Sequence, residues 1–104
     1  MPKTERRRNR LKIRLKLMGM LGFLSAFKDR KETYIDFIGD TVGDLLNHLL
    51  SRMDPNEKHM LLDEQGHISA ELLIFLNGTL ISTPNPSSQL LGENDFVEVA
   101  RLSG

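Results

Sequence analysis

The chain has 104 residues, the size of one domain, and 39% of them are hydrophobic, enough for one core and not for two. Zero cysteines exclude disulfides, thiolate zinc sites, iron–sulfur clusters and a cysteine nucleophile, and the lack of Trp with only 6% aromatic residues argues against a base-stacking platform for nucleic acid. The 14 basic and 14 acidic side chains cancel overall but not locally, because residues 1–16 hold eight cations against Glu5 alone and the rest of the chain is acidic.

Residues 1–9 read as a basic flexible leader. Such asymmetry can mark a nucleic-acid or membrane arm, and Arg6-Arg7-Arg8 ahead of the apolar run from Leu17 to Phe27 has the outline of a signal peptide. Against targeting, Leu11, Ile13, Leu15 and Leu17 alternate with Lys12, Arg14 and Lys16, a period of two that predicts a half-buried strand over 10–17 with its cations outward. No run approaches the roughly 18 apolar residues that a membrane span needs. The expectation is a soluble, cytoplasmic protein with no membrane partner.

From Gly19 to Phe27 the chain is apolar but broken by glycine, a loop with room for a short helix, followed by the charged turn Lys28-Asp29-Arg30-Lys31. Gly19-Met20-Leu21-Gly22 lacks the lysine and hydroxyl residue of a phosphate loop. Glu32 to Ile38 alternates again and predicts a second strand, hairpinned onto the first, with Tyr34 or its neighbours Thr33, Ile35 and Phe37 toward the core and Glu32 and Asp36 toward water.

Asp40-Thr41-Val42-Gly43-Asp44 opens the clearest helix: Thr41 can cap the free N–H groups while Asp44, three residues on, reaches back to the cap. Val42, Leu45, Leu46, Leu49 and Met53 recur at helical spacing until Asp54-Pro55 stops the element, with His48 on another side. Pro55 then suits the first position of a short helix to about residue 62. Asp63-Glu64-Gln65-Gly66 is a turn, and Leu72 to Leu76 is short enough for a central strand. Asn77-Gly78 after it predicts a tight hairpin to Thr79-Leu80-Ile81, since both central positions of the favoured turn need positive φ. Thr83 to Gln89 is loop, and Leu91-Gly92-Glu93-Asn94-Asp95 turns the chain into a last strand that runs nearly into Gly104. The order is that of an α+β domain over 10–104, a mixed sheet of four to five strands with one main helix across it and one short helix.

Few constellations suggest chemistry within the chain. His48, His59 and His67 are spaced like no zinc site, and no acidic pair is placed for acid–base catalysis. Glu98 points outward on the last strand, as Lys12, Arg14 and Lys16 do on the first. Phe96 and Ala100 share that face as candidates for a partner-binding patch. The glycine end is the remaining feature: with no Cβ, Gly104 lets a partner's narrow cleft close around its carboxylate.

Thr41-Val42-Gly43-Asp44-Leu45-Leu46, Leu73-Ile74-Phe75-Leu76-Asn77-Gly78 and Leu91-Gly92-Glu93-Asn94-Asp95-Phe96-Val97-Glu98-Val99, in this order before a glycine end, resemble the β-grasp, ubiquitin-like sulfur carriers of the MoaD/ThiS type. These are the small subunit of molybdopterin synthase and the thiamine-biosynthesis sulfur carrier. The resemblance implies a β-grasp fold, in which the last strand lies beside the first and Glu98 beside Lys12, Arg14 and Lys16, and a non-enzyme, a substrate of an E1-like adenylating enzyme. That enzyme spends ATP on the terminal glycine, a sulfur donor makes the thiocarboxylate, and a sulfur-accepting synthase subunit receives the sulfide. The carrier binds no cofactor or metal. Transferred to this chain, Gly104 is the activation site and Arg101, Leu102 and Ser103 form the tail that enters the partner. The chain departs from the family's Gly-Gly end in having Ser103 before Gly104. The alternatives are a ubiquitin-like modifier that forms isopeptide bonds through the same terminus, and a β-grasp binding module whose basic arm meets an acidic partner or nucleic acid.

Overall fold

In a computed structural model, residues 10–19, 21, 32–81 and 86–101 are described. The basic leader 1–9, most of the apolar loop after Gly19 with its expected short helix, and Leu102-Ser103-Gly104 lie outside them. Five strands, β1 (Arg10–Leu17), β2 (Glu32–Ile38), β3 (Leu72–Leu76), β4 (Thr79–Leu80) and β5 (Phe96–Arg101), form one sheet in the order β2-β1-β5-β3-β4. Among the described residues one α-helix, α1 (Val42–Ser51), packs on it. The neighbours β1 and β2 are antiparallel, β1 and β5 parallel, and β5 and β3 antiparallel. β3 is interior as expected, but the middle of the sheet belongs to β5.

Alternation decides which face of each strand is buried. Ile13, Leu15 and Leu17 of β1, Ile35 and Phe37 of β2, Leu72 and Ile74 of β3, and Val97 and Val99 of β5 face α1. Tyr34 and Ile38, at 63% and 50% exposure, turn outward, which settles the ambiguous face of β2 through its register, Ile13 opposite Ile35 and Leu11 opposite Phe37. From the helix come Val42, Leu45, Leu46 and Leu49, spaced so that one stripe meets the sheet. Each such leucine contributes about 1.5–3 kcal/mol by leaving water. Truncating fully buried Leu46 to Ala is expected to cost about 2–5 kcal/mol.

The start of α1 follows the capping-box expectation closely. Asp44 N–H donates to Thr41 Oγ1 (3.1 Å), and Asp44 Oδ2 accepts from the N–H groups of Asp40 (3.0 Å) and Thr41 (3.2 Å). Gly39 makes room for that carboxylate: it sits at φ +141°, and a Cβ there would lie 2.5 Å from Asp44 Cβ. Helix α1 ends at Ser51, earlier than the proline stop suggested, because the chain tightens there: the Arg52 N–H donates to the Leu49 carbonyl (3.0 Å) and the Met53 N–H to the Leu50 carbonyl (3.2 Å). Met53 is nevertheless buried in the turn that follows. The short helix is a 3-10 helix over Pro55–Met60, too tight and too brief to bury a stripe of its own. A second 3-10 turn, Pro86–Ser88, lies against α1, and Gly43 permits the approach, since a Cβ there would be 3.1 Å from the Ser87 carbonyl oxygen.

Candidate functional site

The three sequence blocks that carry the resemblance converge on β5. Asn77 and Gly78 adopt φ +51° and +88°, the left-handed pair of a two-residue hairpin, with Leu76 opposite Thr79 and Phe75 opposite Leu80. The turned Asn77 side chain then grips the start of β5: its Oδ1 accepts from Phe96 N–H (2.9 Å) and its Nδ2 donates to Asp95 Oδ1 (3.1 Å). Asp95 Oδ2 accepts from Gly92 N–H (2.7 Å), and Asn94, at φ +68°, donates its N–H to the Lys12 carbonyl (2.7 Å). Thr41 bridges to Leu90, and the Leu91 N–H donates to the Asp40 carbonyl (2.8 Å), so the helix start also holds the segment that enters β5.

At the other end of β5 stands Arg101, opposite Leu72 of β3. Its guanidinium turns into the body of the protein. One terminal nitrogen donates to the carbonyls of His59 (3.1 Å) and Met60 (2.8 Å), at the end of the 3-10 helix where carbonyls lack partners of their own, and the other lies 3.0 Å from Glu71 Oε1. The side chain is 22% exposed. Beside it opens a cavity of about 510 Å³ lined by His59, Leu62, Asp63, Ser69 and Glu71 among others. The Asp63 carboxyl there is held below its ordinary range, chiefly by the N–H of His67 and also by that of Gln65. Arg101 is thus the last strand residue, and the other expected tail residues, Leu102, Ser103 and Gly104, follow it outside the described residues.

Phe96, Glu98 and Ala100 point away from α1, on the outer face. The cross-strand register adds Phe75 beside Glu98 and Leu73 beside Ala100, and Leu80, 44% exposed, lies opposite Phe75. Leu73, Phe75 and Leu80 therefore extend the expected Phe96–Ala100 patch; the unbroken run Leu72 to Leu76 gave no sign that alternate residues belonged to another face. The Arg14 guanidinium lies 4.1 Å over the Phe96 ring centre, a cation–π contact at the edge of the patch.

Glu98 does lie beside the first strand, with Lys16 as its register partner. Among the described residues, however, the ion pairs are Arg14 with Glu32 (3.8 Å) and Arg101 with Glu71. The cations of β1 alternate with acids across β2 as well, Lys12 opposite Asp36 and Lys16 opposite Glu32, so this face is not a continuous basic strip. His48 tilts against the Phe37 ring at 6.4 Å, and burial, then the Arg52 charge, pushes its pKa below 6.5. No three His, Asp or Glu groups among the described residues could hold a metal ion. None of the helices among them is long and apolar enough to cross a membrane.

A mixed sheet ordered β2-β1-β5-β3-β4, with the last strand central and one helix across it, defines the β-grasp, ubiquitin-like fold. In particular, the chain is similar to the small archaeal modifier protein SAMP1 from Methanosarcina acetivorans, with 21% identity over 92% of this chain and 98% of that one and a TM-score of 0.69. It is also similar to Urm1 from Trypanosoma brucei (18% identity, 91% and 95% coverage, TM-score 0.69). A third similar structure is described as molybdopterin converting factor, subunit 1, from Pyrococcus furiosus (20% identity, 89% and 99% coverage, TM-score 0.63). No protein-family model and no curated protein sequence matches the chain.

Proposed function

We infer that this protein is a carrier rather than an enzyme, a cytoplasmic substrate for an E1-like adenylating enzyme that activates it at Gly104. In the first step a carboxylate oxygen of Gly104 attacks the α-phosphate of ATP and pyrophosphate leaves. In the second, sulfur at the sulfide level displaces AMP from the carbonyl and leaves a thiocarboxylate. That group is a good sulfur nucleophile and needs no cysteine on the carrier, in keeping with a chain that has none. A sulfur-accepting synthase subunit of molybdopterin or thiamine biosynthesis would receive the sulfide. The chain itself binds no cofactor.

The observation that carries the reading is the convergence on β5. Asn77 grips the start of β5, the start of α1 holds the segment that leads into it, and Arg101 holds its end three residues before Gly104. The apolar outer face of Leu73, Phe75, Leu80 and Phe96 offers a docking surface on the same sheet. Neighbour names that include a molybdopterin converting factor support the sulfur route. Those that include small archaeal modifiers favour, as a second reading, isopeptide conjugation through the same glycine.

Incubation with an E1-like enzyme, ATP and sulfide, followed by intact-mass measurement, tests the first reading: the expected change is one oxygen replaced by sulfur at the C-terminus. Stable high-mass conjugates that vanish when Gly104 is deleted would select the second. An unaltered mass with an enzyme active on another carrier would refute both.

A further inference from the structure

The geometry points to Arg101 as a positioning residue, one that anchors the root of the activated tail to the body rather than contacting the activating partner. This rests on the reading that Gly104 is the activated residue. A guanidinium has five N–H donors in a planar fork. Here that fork makes three contacts with the protein itself: the carbonyls of His59 and Met60 and the Glu71 carboxylate, at 3.1, 2.8 and 3.0 Å. Two of these acceptors are backbone atoms at the C-terminal end of a 3-10 helix, where a cation is favoured and the carbonyls have no helical donor. An arginine committed in this way is a poor candidate for insertion into a partner's cleft, because insertion would first strip three charge-assisted bonds from it.

The consequence for the tail is a matter of reach. With Arg101 fixed, the carboxylate is tethered by three residues and lies within about 10–11 Å of the Arg101 Cα even when fully extended. The partner must bring its nucleotide to the edge of the sheet. Releasing the clamp lets the end of β5 fray from Leu72 and lengthens the free segment. Going from three free residues to four lowers the effective concentration of a tethered group at a fixed point by about 1.5-fold, through the −3/2 power dependence. Arg101 therefore acts on how often the carboxylate meets ATP, not on how tightly the body docks.

Adenylation kinetics separate the two roles. For Arg101→Ala, kcat for acyl-adenylate formation is expected to fall by at least about 1.5-fold while KM is unchanged, since docking is unaltered. Glu71→Gln, which leaves both carbonyl contacts in place, should show a smaller kcat loss. Arg101→Lys, a single point donor that cannot span both carbonyls and the carboxylate, should rescue only part. A rise in KM with kcat unchanged would assign Arg101 to the partner interface and overturn the proposal, as would kinetics indistinguishable from the parent. If the parent protein is not adenylated at all, the functional reading fails, and the anchor is judged on amide order parameters instead. Those of Leu72 and Ala100, where the end of β5 meets β3, should drop in Arg101→Ala and Glu71→Gln but not in a Lys16→Gln control, and equal values in all three variants would refute the anchor.

Discussion

Replacing Gly39 by Ala is the most informative single test of how this fold is held together. The added Cβ would lie 2.5 Å from Asp44 Cβ and 2.6 Å from Asp44 Cγ and Oδ2, so the carboxylate cannot keep its place over the helix start. At φ +141° an alanine is also strained, by an amount of the order of 1–2 kcal/mol judged from other positive-φ sites. Expelling Asp44 forfeits its two bonds to the Asp40 and Thr41 N–H groups, about another 1–2 kcal/mol. The total expected loss is roughly 2–4 kcal/mol, readable as a lowered urea midpoint at unchanged slope. Asp44→Ala alone should cost about 1–2 kcal/mol, yet in the Gly39→Ala background it should cost under about 0.5 kcal/mol, because the cap has already gone. Acid supplies an independent check. The backbone N–H of Asp40 foremost holds the Asp44 carboxyl below 3.8 in the folded protein, so its contribution is full above that pH and is lost as pH falls through the lower folded value. The stability gap between the parent and Asp44→Ala should therefore be constant near neutrality and close in strong acid. Full additivity of the two substitutions would refute the argument, since it would mean that Asp44 keeps its bonds beside Ala at position 39.

Three further outcomes follow from the same structure. Asn77→Ala removes both side-chain bonds to the start of β5 and puts a Cβ-bearing residue without local hydrogen bonding at φ +51°, so thermal unfolding should show a loss of about 1–3 kcal/mol, and a loss within 0.5 kcal/mol or so would mean that β5 is held elsewhere. Because His48 has a folded pKa below 6.5, stability is fully retained above that pH and falls as pH drops toward the folded value; His48→Gln should flatten this slope in urea titrations, and an unchanged slope would exclude His48 as its source. Leu80→Asp, at an exposed position on the outer face, should leave the urea midpoint within about 0.5 kcal/mol of the parent while raising KM for the adenylating enzyme about tenfold. An unaltered KM would remove Leu80 from the docking surface.

What could be read from the sequence was what is local. Thr41 and Asp44 sit three residues apart and close a box whose geometry is internal to one turn, and Asn77-Gly78 specifies its own backbone. Face assignment was harder wherever apolar residues occupied both faces. In β2, Tyr34 and Ile38 alternate as regularly as Ile35 and Phe37, and only pairing with β1 decides between them. In β3, five apolar residues in a row conceal that Leu73 and Phe75 serve the outer face. The Arg101 clamp had no sequence signal at all, because its acceptors are two backbone carbonyls and a carboxylate brought from distant segments by the sheet. Gly39 is similar: its need for a missing Cβ appears only once Asp44 is seen above it.

The central place of β5 has a consequence for synthesis. Chains emerge from the ribosome with their N-terminal end first, and here the strand between β1 and β3 is the last one in the sequence. Until Phe96–Arg101 have been released, the β1–β2 and β3–β4 hairpins share no hydrogen-bonded edge, and Leu15 and Leu73 wait for Val97 and Ala100. Completion of the sheet is therefore postponed until β5 has emerged, at the cost of exposed strand edges in the nascent chain. A nascent chain that stops before Phe96 cannot join β1 to β3. A complete sheet in this protein thereby certifies that Phe96–Arg101 have been made.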